Sequence, residues 1–423
     1  MTMLYDLWQQ VARAHRDELA LRDVASGRRW TFGQLAAAGE AFPAATGPVL
    51  YPRGHAARFI IEVLGAWRGG KVVCPLEPDA ALPAISPPPA WCVHLKTTSA
   101  TTGQARIVAF RAEQLAADAA NIVATMGLRP DWPNLATISM AHSYGFSNLV
   151  LPLLLHGIPL IIAPSPLPEI VRRAAEGEPA LTLPAVPALW RAWHEAGAIP
   201  PSVRLALSAG APLTGRLEQD VFRKSGLKIH NFYGSSECGG IAYDRSAELR
   251  PDDALVGTPL ENVALAMSAE SCLQVRSRAV AEGYWPESHD HLGAGLFQTS
   301  DLGDLVDGAV FWRGRSSDLI NVAGRKVTPE VIERVLLEHP LVREALVVGL
   351  PSAEVERAET IAAIVATLEP VTEATLRHFL LARLPAWQVP RRWQLVPTLH
   401  TSRQGKVSRT EWRQRLTGSR QDV

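Results

Sequence analysis

Residues 98–106 of the chain read Thr-Ser-Ala-Thr-Thr-Gly-Gln-Ala-Arg, which places four hydroxyl groups, one glycine and one cation within nine residues. The apolar run from Trp91 to Leu95 comes just before this segment and predicts a buried strand. We therefore expect a loop that leaves the strand and turns backbone N–H groups and hydroxyls toward one anion, such as a polyphosphate. Clusters of Thr, Ser and Gly also form ordinary turns, so both interpretations stand for this segment alone.

Length and composition limit the class of protein. The chain has 423 residues, enough for two or three domains, and its hydrophobic content of 47% is sufficient for a large core. Lysine and arginine together number 42, as do aspartate and glutamate, so there is no net charge and we expect no nucleic-acid partner. The four cysteines are scattered without a CxxC pair, which favours a reducing cytoplasm over a disulfide framework or a zinc site.

The hydropathy pattern predicts no membrane anchor. The first helix-like segment already carries Asp6 and Arg13, unlike a signal peptide. The longest apolar stretch, residues 149–163, is too short to span a bilayer and is interrupted by prolines, a glycine and a histidine. We expect a cytoplasmic protein.

The pattern of apolar residues predicts α/β layers followed by a second domain. Strand-like runs at 72–74, 136–138, 160–162 and 205–207 alternate with Ala-rich amphipathic segments up to about residue 310. After Trp312 a polar connector leads to a different order of elements. It comprises an amphipathic helix around 331–336, strands at 345–348 and 361–365, and a helix around 376–384.

One segment imitates a nucleotide-binding motif. Residues 65–71 have the spacing of a Walker A loop, but Val72 stands where Ser or Thr must reach magnesium. A Walker loop follows a strand and opens a helix, whereas here a predicted helix, 58–67, ends at the glycines. We interpret the segment as the C-terminal end of that helix.

Four further segments carry groups suited to nucleotide chemistry. Residues 231–237 offer an aromatic ring, hydroxyls and one carboxylate in a turn that follows a predicted strand, 227–230, and such groups suit a purine, a phosphate and Mg²⁺. Residues 297–303 present one carboxylate after a turn, which suits the hydroxyls of a ribose or caps a turn. Residues 312–318 and 403–409 supply cations, which in isolation are also typical of solvated surface.

The order and content of these segments resemble the adenylate-forming superfamily of acyl-CoA synthetases, aryl-acid ligases and nonribosomal adenylation domains. The resemblance spans nearly the whole chain. Segment 98–106 is similar to the family's phosphate loop, usually Thr-Ser-Gly-Thr-Thr-Gly-x-Pro-Lys, and 233–237 is similar to its Tyr-Gly-x-Thr-Glu. Further segments that match in the family's order are 208–213, 299–301, 314–327 and 405–409.

The resemblance implies a fold and a reaction. The fold is the adenylate-forming enzyme fold in a compact version. A large multi-sheet α/β N-terminal domain, residues 1–314, binds ATP and the acid, and a small mobile α+β C-terminal domain, residues 315–423, is a lid that carries the catalytic lysine. In this family a carboxylate attacks the α-phosphate of ATP with Mg²⁺ as a further cofactor, releases pyrophosphate and forms an acyl-adenylate. A thiol then takes the acyl group.

Carried onto matching positions, the resemblance implies a role for each site residue. Lys406 bridges the carboxylate and the α-phosphate, Ser236 touches the α-phosphate and Glu237 holds Mg²⁺. Asp301 and Arg315 bind the ribose. The nucleotide base lies against Gly210, Ala211, Tyr233 and Gly234. The β- and γ-phosphates are cradled by Thr98, Ser99, Thr101, Thr102 and Gly103, with Arg106 as a supporting cation.

The chain also departs from the family pattern. Ala100 replaces the first glycine of the phosphate loop, Ala105 its proline and Arg106 its lysine, but the hydroxyl pattern survives, and we expect activity to survive with it. Family members rotate the small domain after adenylation about a residue that here is Ser317, where many relatives carry Asp or Lys. We expect Ser317 to serve as the hinge.

The resemblance also implies where the acid binds. The residues that match the acid pocket are His142, Tyr144, Phe146, Ser208 and Ser235, although a merely packed His142 fits the sequence equally well. Aromatic rings with small hydroxyls favour a flat, hydroxylated aromatic acid over a long fatty chain. The chain is also similar to compact ligases of bacterial aryl-polyene or xanthomonadin-type pigment clusters, and this resemblance implies 3-hydroxybenzoate as the acid.

The acceptor and two alternative functions remain open at this point. The expected thiol partner is an acyl carrier protein or CoA. One alternative is a medium- or long-chain fatty acyl-CoA synthetase. The other is a catalytically silent relative that only binds a nucleotide or an acid, although the chain keeps Glu237, Asp301 and Lys406, which such a relative is expected to lose.

Overall fold

The computed structural model of the chain describes residues 2–98, 106–352, 358–399 and 408–418. A π-helical segment, Phe146–Val150, continues the short helix Ser143–Gly145 directly into the helix Leu151–His156. The α-helices of the described residues are α1 (Met3–Ala14), α2 (Phe32–Ala41), α3 (Ala57–Arg68), α4 (Ala112–Met126), α5 (Ser143–Gly145), α6 (Leu151–His156), α7 (Pro168–Ala174), α8 (Pro187–Glu195), α9 (Gly215–Ser225), α10 (Pro329–Leu337), α11 (Glu373–Leu381) and α12 (Arg409–Gly418).

The strands form four sheets. The strands of the described residues are β1 (Leu19–Asp23), β2 (Arg29–Thr31), β3 (Val49–Leu50), β4 (Val72–Val73), β5 (His94–Thr97), β6 (Ile107–Phe110), β7 (Asn134–Ala136), β8 (Leu160–Ile162), β9 (Leu181–Ala185), β10 (Val203–Ser208), β11 (Ile229–Ser235), β12 (Gly239–Tyr243), β13 (Leu255–Pro259), β14 (Ala264–Met267), β15 (Cys272–Arg276), β16 (Gly283–Trp285), β17 (Leu292–Gly293), β18 (Leu296–Val306), β19 (Ala309–Arg315), β20 (Ile320–Val322), β21 (Arg325–Val327), β22 (Val342–Pro351), β23 (Glu359–Thr367) and β24 (Arg392–Val396).

The largest sheet has 14 strands in the order β14-β15-β18-β19-β13-β12-β11-β10-β9-β7-β8-β1-β2, with β17 paired to β18. Its part from β8 to β11 is parallel, and the strands of this part are mostly buried, which accounts for their continuous apolar runs. The predicted strands 160–162 and 205–207 are confirmed as β8 and β10. The prediction at 136–138 is two residues late, since β7 begins at Asn134.

The second sheet, β16-β6-β5-β4-β3, holds both ends of the segment 98–106. Strands β5 and β6 are antiparallel neighbours, and the Thr98 N–H donates to the Arg106 carbonyl at 2.9 Å, so the segment joins two paired strands. The predicted strand 91–95 is displaced, because the Cys92 N–H donates to the Pro89 carbonyl in a turn and pairing begins at His94. The imitation Walker loop is a helix end, as predicted: α3 stops before Gly69.

The C-terminal part has its own core. Strands β22 and β23 are antiparallel, β24 joins β23 in parallel, and α10, α11 and α12 pack on them. The predicted helices and strands of this part are confirmed within a few residues. Its buried hydrophobic clusters contain residues from Ile320 onward, and the other clusters end at Trp312. The chain therefore has a large N-terminal and a small C-terminal domain; the division between residues 314 and 315 stays a prediction.

Among the helices of the described ranges, none is both long enough and apolar enough to span a bilayer.

A buried ion cluster fixes the strands that carry the site. Glu218 on α9 accepts from Lys228 and, at 2.8 Å, from Arg250, and Lys228 also donates to Asp244 at 2.7 Å. All four side chains are at least nine-tenths buried. Because a buried charge is costly without a partner, each member depends on the others, and Glu218 in particular balances two cations.

We predict that Glu218→Gln strongly destabilises the large domain. The change leaves the buried Arg250 without its carboxylate, so the free energy of unfolding should fall by about 3 kcal/mol. Chemical denaturation followed by tryptophan fluorescence measures the change.

Glu169→Gln is the matched control, because Glu169 pairs with Arg172 on the surface of α7. Exposed pairs contribute at most about 1 kcal/mol. Equal destabilisation by the two variants would contradict the role given to the buried cluster.

Candidate active site

The Asp301 carboxylate is the centre of the candidate site. It accepts from the Tyr233 hydroxyl at 2.6 Å, the Trp312 indole N–H at 3.1 Å and the Arg315 Nε at 3.1 Å. The prediction that Asp301 follows a turn is wrong: it lies within the long strand β18, directly opposite Arg315 on β19. The predicted polar connector, residues 313–318, is likewise a strand in its first half, since β19 extends to Arg315 and a 3-10 turn, Ser316–Asp318, follows.

The electrostatics of this cluster fix Tyr233 as a donor. Burial raises the pKa of Tyr233, and the negative charge of Asp301 raises it further. Tyr233 therefore keeps its proton and orients the Asp301 carboxylate. The backbone N–H of Asp301 donates to the Thr299 hydroxyl at 3.0 Å.

The turn after β11 carries the next group of site residues. The prediction that Tyr233 and Ser235 belong to the turn is wrong, since β11 extends to Ser235. Ser236 and Glu237 are in the turn, and the Ser143 hydroxyl donates to the Ser236 hydroxyl at 3.0 Å. The Glu237 N–H donates to the Ser235 hydroxyl at 3.2 Å, which shapes the turn locally.

Glu237 is connected to the end of the segment 98–106. The Tyr284 hydroxyl donates to the Glu237 carboxylate at 3.0 Å, and the Arg106 guanidinium lies over the Tyr284 ring at 5.2 Å from its centroid. Burial and the Glu237 charge raise the pKa of Tyr284, so it remains a donor. The Tyr284 side chain thus contacts the Glu237 carboxylate through its hydroxyl and the Arg106 guanidinium through its ring.

The residues predicted for the nucleotide base lie where parallel strands end. Gly210 and Ala211 follow β10, and Tyr233 and Gly234 are near the end of its parallel neighbour β11. A Cβ at Gly234 would lie 2.6 Å from the Gly239 carbonyl oxygen, so only glycine fits there. The carboxyl ends of parallel strands meet at one edge of a sheet, where open α/β sheets bind ligands.

Two of the residues predicted to bind the acid, Tyr144 and Ser208, are connected through Ala185. The Tyr144 hydroxyl donates to the Ala185 carbonyl at 3.4 Å, and Ala185 pairs with Ser208 across β9 and β10. The Ser208 hydroxyl is fully buried and has no hydrogen-bond partner. Phe146 is buried one helical turn beyond Ser143.

His142 has a different environment from the other predicted acid residues. Its Nε2 lies 2.9 Å from the Glu77 carboxylate, and the contact lowers the pKa of Glu77. Ser139 also donates to this carboxylate. Both partners of the pair are about one third exposed, so His142 is held at the edge of the site rather than packed in the core.

Several predicted residues lie outside the described ranges. They are Ser99, Thr101, Thr102, Gly103 and Lys406, together with Ala100 and Ala105. Thr98 and Arg106, which flank the phosphate loop, are described. Ser317 follows β19 in a short 3-10 turn and is exposed.

Sequence reasoning missed two residues that the structure brings to the site. Trp312 is within a segment chosen for its cations, and its indole was overlooked as a donor. Tyr284 belongs to no motif; it reaches Glu237 because β16 pairs with β6 at the register Tyr284 opposite Val108. No sequence signal identifies either residue: Trp312 and Arg315 are three apart on β19, so strand alternation alone would place them on opposite faces.

Comparison with known proteins assigns this arrangement to a family. Residues 77–285 match the family described as AMP-binding enzyme, and residues 331–406 match the AMP-binding enzyme C-terminal domain. The chain is a member of the AMP-binding enzymes. This confirms the resemblance to adenylate-forming enzymes stated from the sequence.

Individual relatives of this AMP-binding enzyme are ligases. It is 28% identical over 334 residues to the 2-succinylbenzoate–CoA ligase of Bacillus thuringiensis subsp. konkukian, which covers 75% of this chain and 68% of that protein. A segment of 152 residues is 39% identical to the long-chain-fatty-acid–CoA ligase FadD15 of Mycobacterium bovis, covering 34% of this chain and 25% of that protein. With its family, these relatives make the chain an AMP-forming acid–thiol ligase.

The fold is that of a solved family member. The crystal structure of ATP-bound MatB from Rhodopseudomonas palustris matches this chain with a TM-score of 0.86 at 19% identity, over 98% of this chain and 99% of that one. The expected adenylate-forming fold is therefore confirmed.

We predict that Tyr233→Phe weakens ATP use. The change removes one of the donors that hold the Asp301 carboxylate, and a hydrogen bond to a charged group contributes about 1.5–3 kcal/mol, so KM for ATP should rise about tenfold or more. KM for the acid should change little. Steady-state kinetics with ATP varied at saturating acid measure the effect, and Tyr51→Phe, in the small sheet's core, is the control. Equal KM values for ATP in wild type and Tyr233→Phe would contradict the role of Asp301.

Proposed function

We propose that this AMP-binding enzyme activates a hydroxylated aromatic acid, such as 3-hydroxybenzoate, and transfers it to a thiol. The observation that carries the substrate class is the buried, unpartnered Ser208 hydroxyl beside the hydrogen-bonded Tyr144. A buried hydroxyl without a partner is costly, and a polar group on an aromatic substrate would satisfy it. The aromatic substrate in the name of the succinylbenzoate ligase favours the same class.

ATP binds, in this proposal, along the edge formed by β10, β11 and β18. Asp301, whose carboxylate is already oriented by Tyr233, Trp312 and Arg315, accepts from the ribose hydroxyls. Gly210, Ala211 and Gly234 allow the base to approach the backbone closely, because glycine and alanine leave room at these strand ends. Arg106 neutralises part of the phosphate charge, and Thr98 and the other loop hydroxyls donate hydrogen bonds to the phosphates.

Glu237 fits Mg²⁺, the second cofactor. It is a partly buried carboxylate that presents hard oxygen atoms beside the phosphate region, and Mg²⁺ is usually held by one or two carboxylates together with phosphate oxygens and water. The metal supplies charge neutralisation for the departing pyrophosphate. Tyr284, by donating to one Glu237 oxygen, fixes the rotamer of that carboxylate.

The remaining side chains orient the reacting atoms. Ser236, placed by its bond with Ser143, donates to an α-phosphate oxygen on which negative charge grows as the acid attacks. Lys406 counters the charge of the attacking carboxylate and the α-phosphate. This is electrostatic positioning, because neither group transfers a proton in the adenylation step.

The second half-reaction uses the C-terminal domain. We assign Ser317 as the hinge, consistent with its exposed position after β19. The two domains contact each other through ion pairs such as Arg191 with Glu344 at 3.7 Å and Arg334 with Asp252 at 3.9 Å. Long polar contacts of this kind are cheap to exchange during a rotation. The acceptor thiol is that of an acyl carrier protein or CoA.

The acid panel is the decisive test of the substrate class. Full-length enzyme with ATP and Mg²⁺ is given benzoate, the hydroxybenzoates, 2-succinylbenzoate, octanoate and palmitate, each with CoA and with holo acyl carrier protein. We expect Mg²⁺-dependent AMP and pyrophosphate, with hydroxybenzoates turned over fastest.

Other outcomes of this panel identify the alternatives. Turnover of the aliphatic acids alone would instead support a fatty acyl-CoA synthetase, the function named for the relative with the 39% identical segment. ADP in place of AMP would contradict the adenylation mechanism, and nucleotide binding without turnover of any acid would indicate a silent relative.

We predict that Lys406→Ala abolishes adenylation selectively. Acid-dependent exchange of pyrophosphate into ATP should fall at least about 100-fold, because electrostatic stabilisation of the transition state is lost. Thiol transfer from a supplied acyl-adenylate should be largely intact. Lys326→Ala, an exposed lysine of the same domain, is the control. Unchanged exchange in Lys406→Ala would remove Lys406 from the mechanism.

A further inference from the structure

Strand β5 carries two buried polar side chains that have no hydrogen-bond partner. His94 is fully buried with both ring nitrogens unpartnered, and Lys96 is 95% buried with an unpartnered ammonium nitrogen, since its exposed fraction is 5%. Residues two apart on a strand point to the same face. Both therefore face the main hydrophobic core, where His94 lies 4.4 Å from the Phe146 ring and Lys96 lies 4.6 Å from the Phe110 ring, centroid distances in each case.

A buried carboxylate whose charge acts on Lys96, that of Asp118, is held by other donors. Asp118 on α4 accepts from the Ser147 hydroxyl at 2.6 Å through one oxygen and from the Gly240 N–H at 3.0 Å through the other. A Cβ at Gly239 would lie 2.0 Å from an Asp118 oxygen, so the backbone is pressed against this side chain. Asp118 is therefore fixed in place, and its charge acts on Lys96 without a hydrogen bond between the two.

The geometry connects Lys96 with the place where the acid reacts. Ser143 contacts Ser236 at the reacting end, and Ser147, which contacts Asp118, comes four residues later in the same continuous helix. Residues four apart share a helix face and are about 6 Å apart along its axis. A single aromatic ring bridges such a distance.

Asp118 also connects this region to the turn that follows β11, because it accepts from the Gly240 N–H. The charges of Asp118 and Glu237 act on the Lys96 ammonium. Phe146, which the sequence assigned to the acid pocket, separates the helix from His94. His94 therefore lies against a residue expected at the acid, and Lys96 shares its face of β5.

We propose that Lys96, assisted by His94, binds the ring hydroxyl of the aromatic acid at the end remote from its carboxylate. The inference rests on the proposed function. A buried amine or imidazole nitrogen without a partner is costly, whereas a phenolic oxygen supplies a hydrogen-bond acceptor and its proton supplies a donor. Burial lowers the pKa of Lys96, which brings the amine and a phenol closer to a matched pair. A site that hydrogen-bonds a substrate hydroxyl rejects the analogue that lacks it.

The test compares each hydroxybenzoate with benzoate in the full-length enzyme. The measured quantity is the ratio of kcat/KM for the preferred hydroxybenzoate to kcat/KM for benzoate, from pyrophosphate release. In Lys96→Met, which keeps the length of the side chain and removes its hydrogen bonds, we expect this ratio to fall about tenfold or more, with KM for ATP unchanged. Lys96→Gln keeps a donor, so it should lose less of the preference, and it carries the test if Lys96→Met does not fold.

The control and the alternative outcomes separate the two proposals. Lys224→Met changes a lysine exposed on α9 and should leave the ratio unchanged. If the wild type prefers a hydroxybenzoate and both Lys96 variants keep that preference, the role of Lys96 is wrong while the proposed function stands. If the wild type turns over only aliphatic acids or none, the proposed function fails and this inference fails with it. If Lys96→Met lost activity only toward dicarboxylic acids, the group that Lys96 binds would be a second carboxylate of the substrate and not a ring hydroxyl. That result would overturn the proposal.

Discussion

The buried Asp301 carboxylate is the constraint on which the site depends. A charge in a sheet interior is tolerated only when donors surround it, and here the donors come from three places: Tyr233 on β11, and Trp312 and Arg315 on β19. These contacts join the end of the parallel part of the large sheet to its antiparallel part. They also fix the last residues before the C-terminal domain, so the edge proposed to bind the nucleotide and the start of the small domain share one electrostatic centre.

Glycine and one carboxylate organise the turn between β11 and β12. Gly234, Gly239 and Gly240 allow the two strands to approach, and Asp118 fills the space that a side chain at Gly239 would need. Behind them the ion cluster around Glu218 anchors β11 to α9. The turn thereby presents Ser236 and Glu237 outward from a rigid base, while Tyr284 brings the second sheet to the same point. Strands hold the residues proposed to react, and the two domains contact each other through ion pairs.

The polar character of the deep core is unusual for its position. His94 and Lys96 occupy a strand otherwise buried among aromatic rings, and Asp118 is bonded to a serine and a backbone N–H rather than to the lysine. In a core that binds an aliphatic chain these groups would remain buried without hydrogen-bond partners, which is energetically unfavourable. In a core that receives a hydroxylated ring they are a source of specificity, because the penalty of leaving them unpartnered falls on the wrong substrate.

The sequence by itself determined the family and the order of the elements, because these depend on short motifs and apolar patterns whose residue types follow from local chemistry. It placed Ser236 and Glu237 in a turn and located the helices and strands of the C-terminal domain, while the phosphate-binding role of the predicted loop 98–106 stays a prediction. It misplaced the strand before the loop and put Asp301 after a turn, since a turn at Cys92 and the long pairing of β18 with β19 depend on partners far along the chain. Only the tertiary structure decided that Tyr284 reaches Glu237, that Trp312 holds Asp301 and that His94 and Lys96 lack partners. Such contacts arise from strand register and sheet packing, which no local pattern encodes.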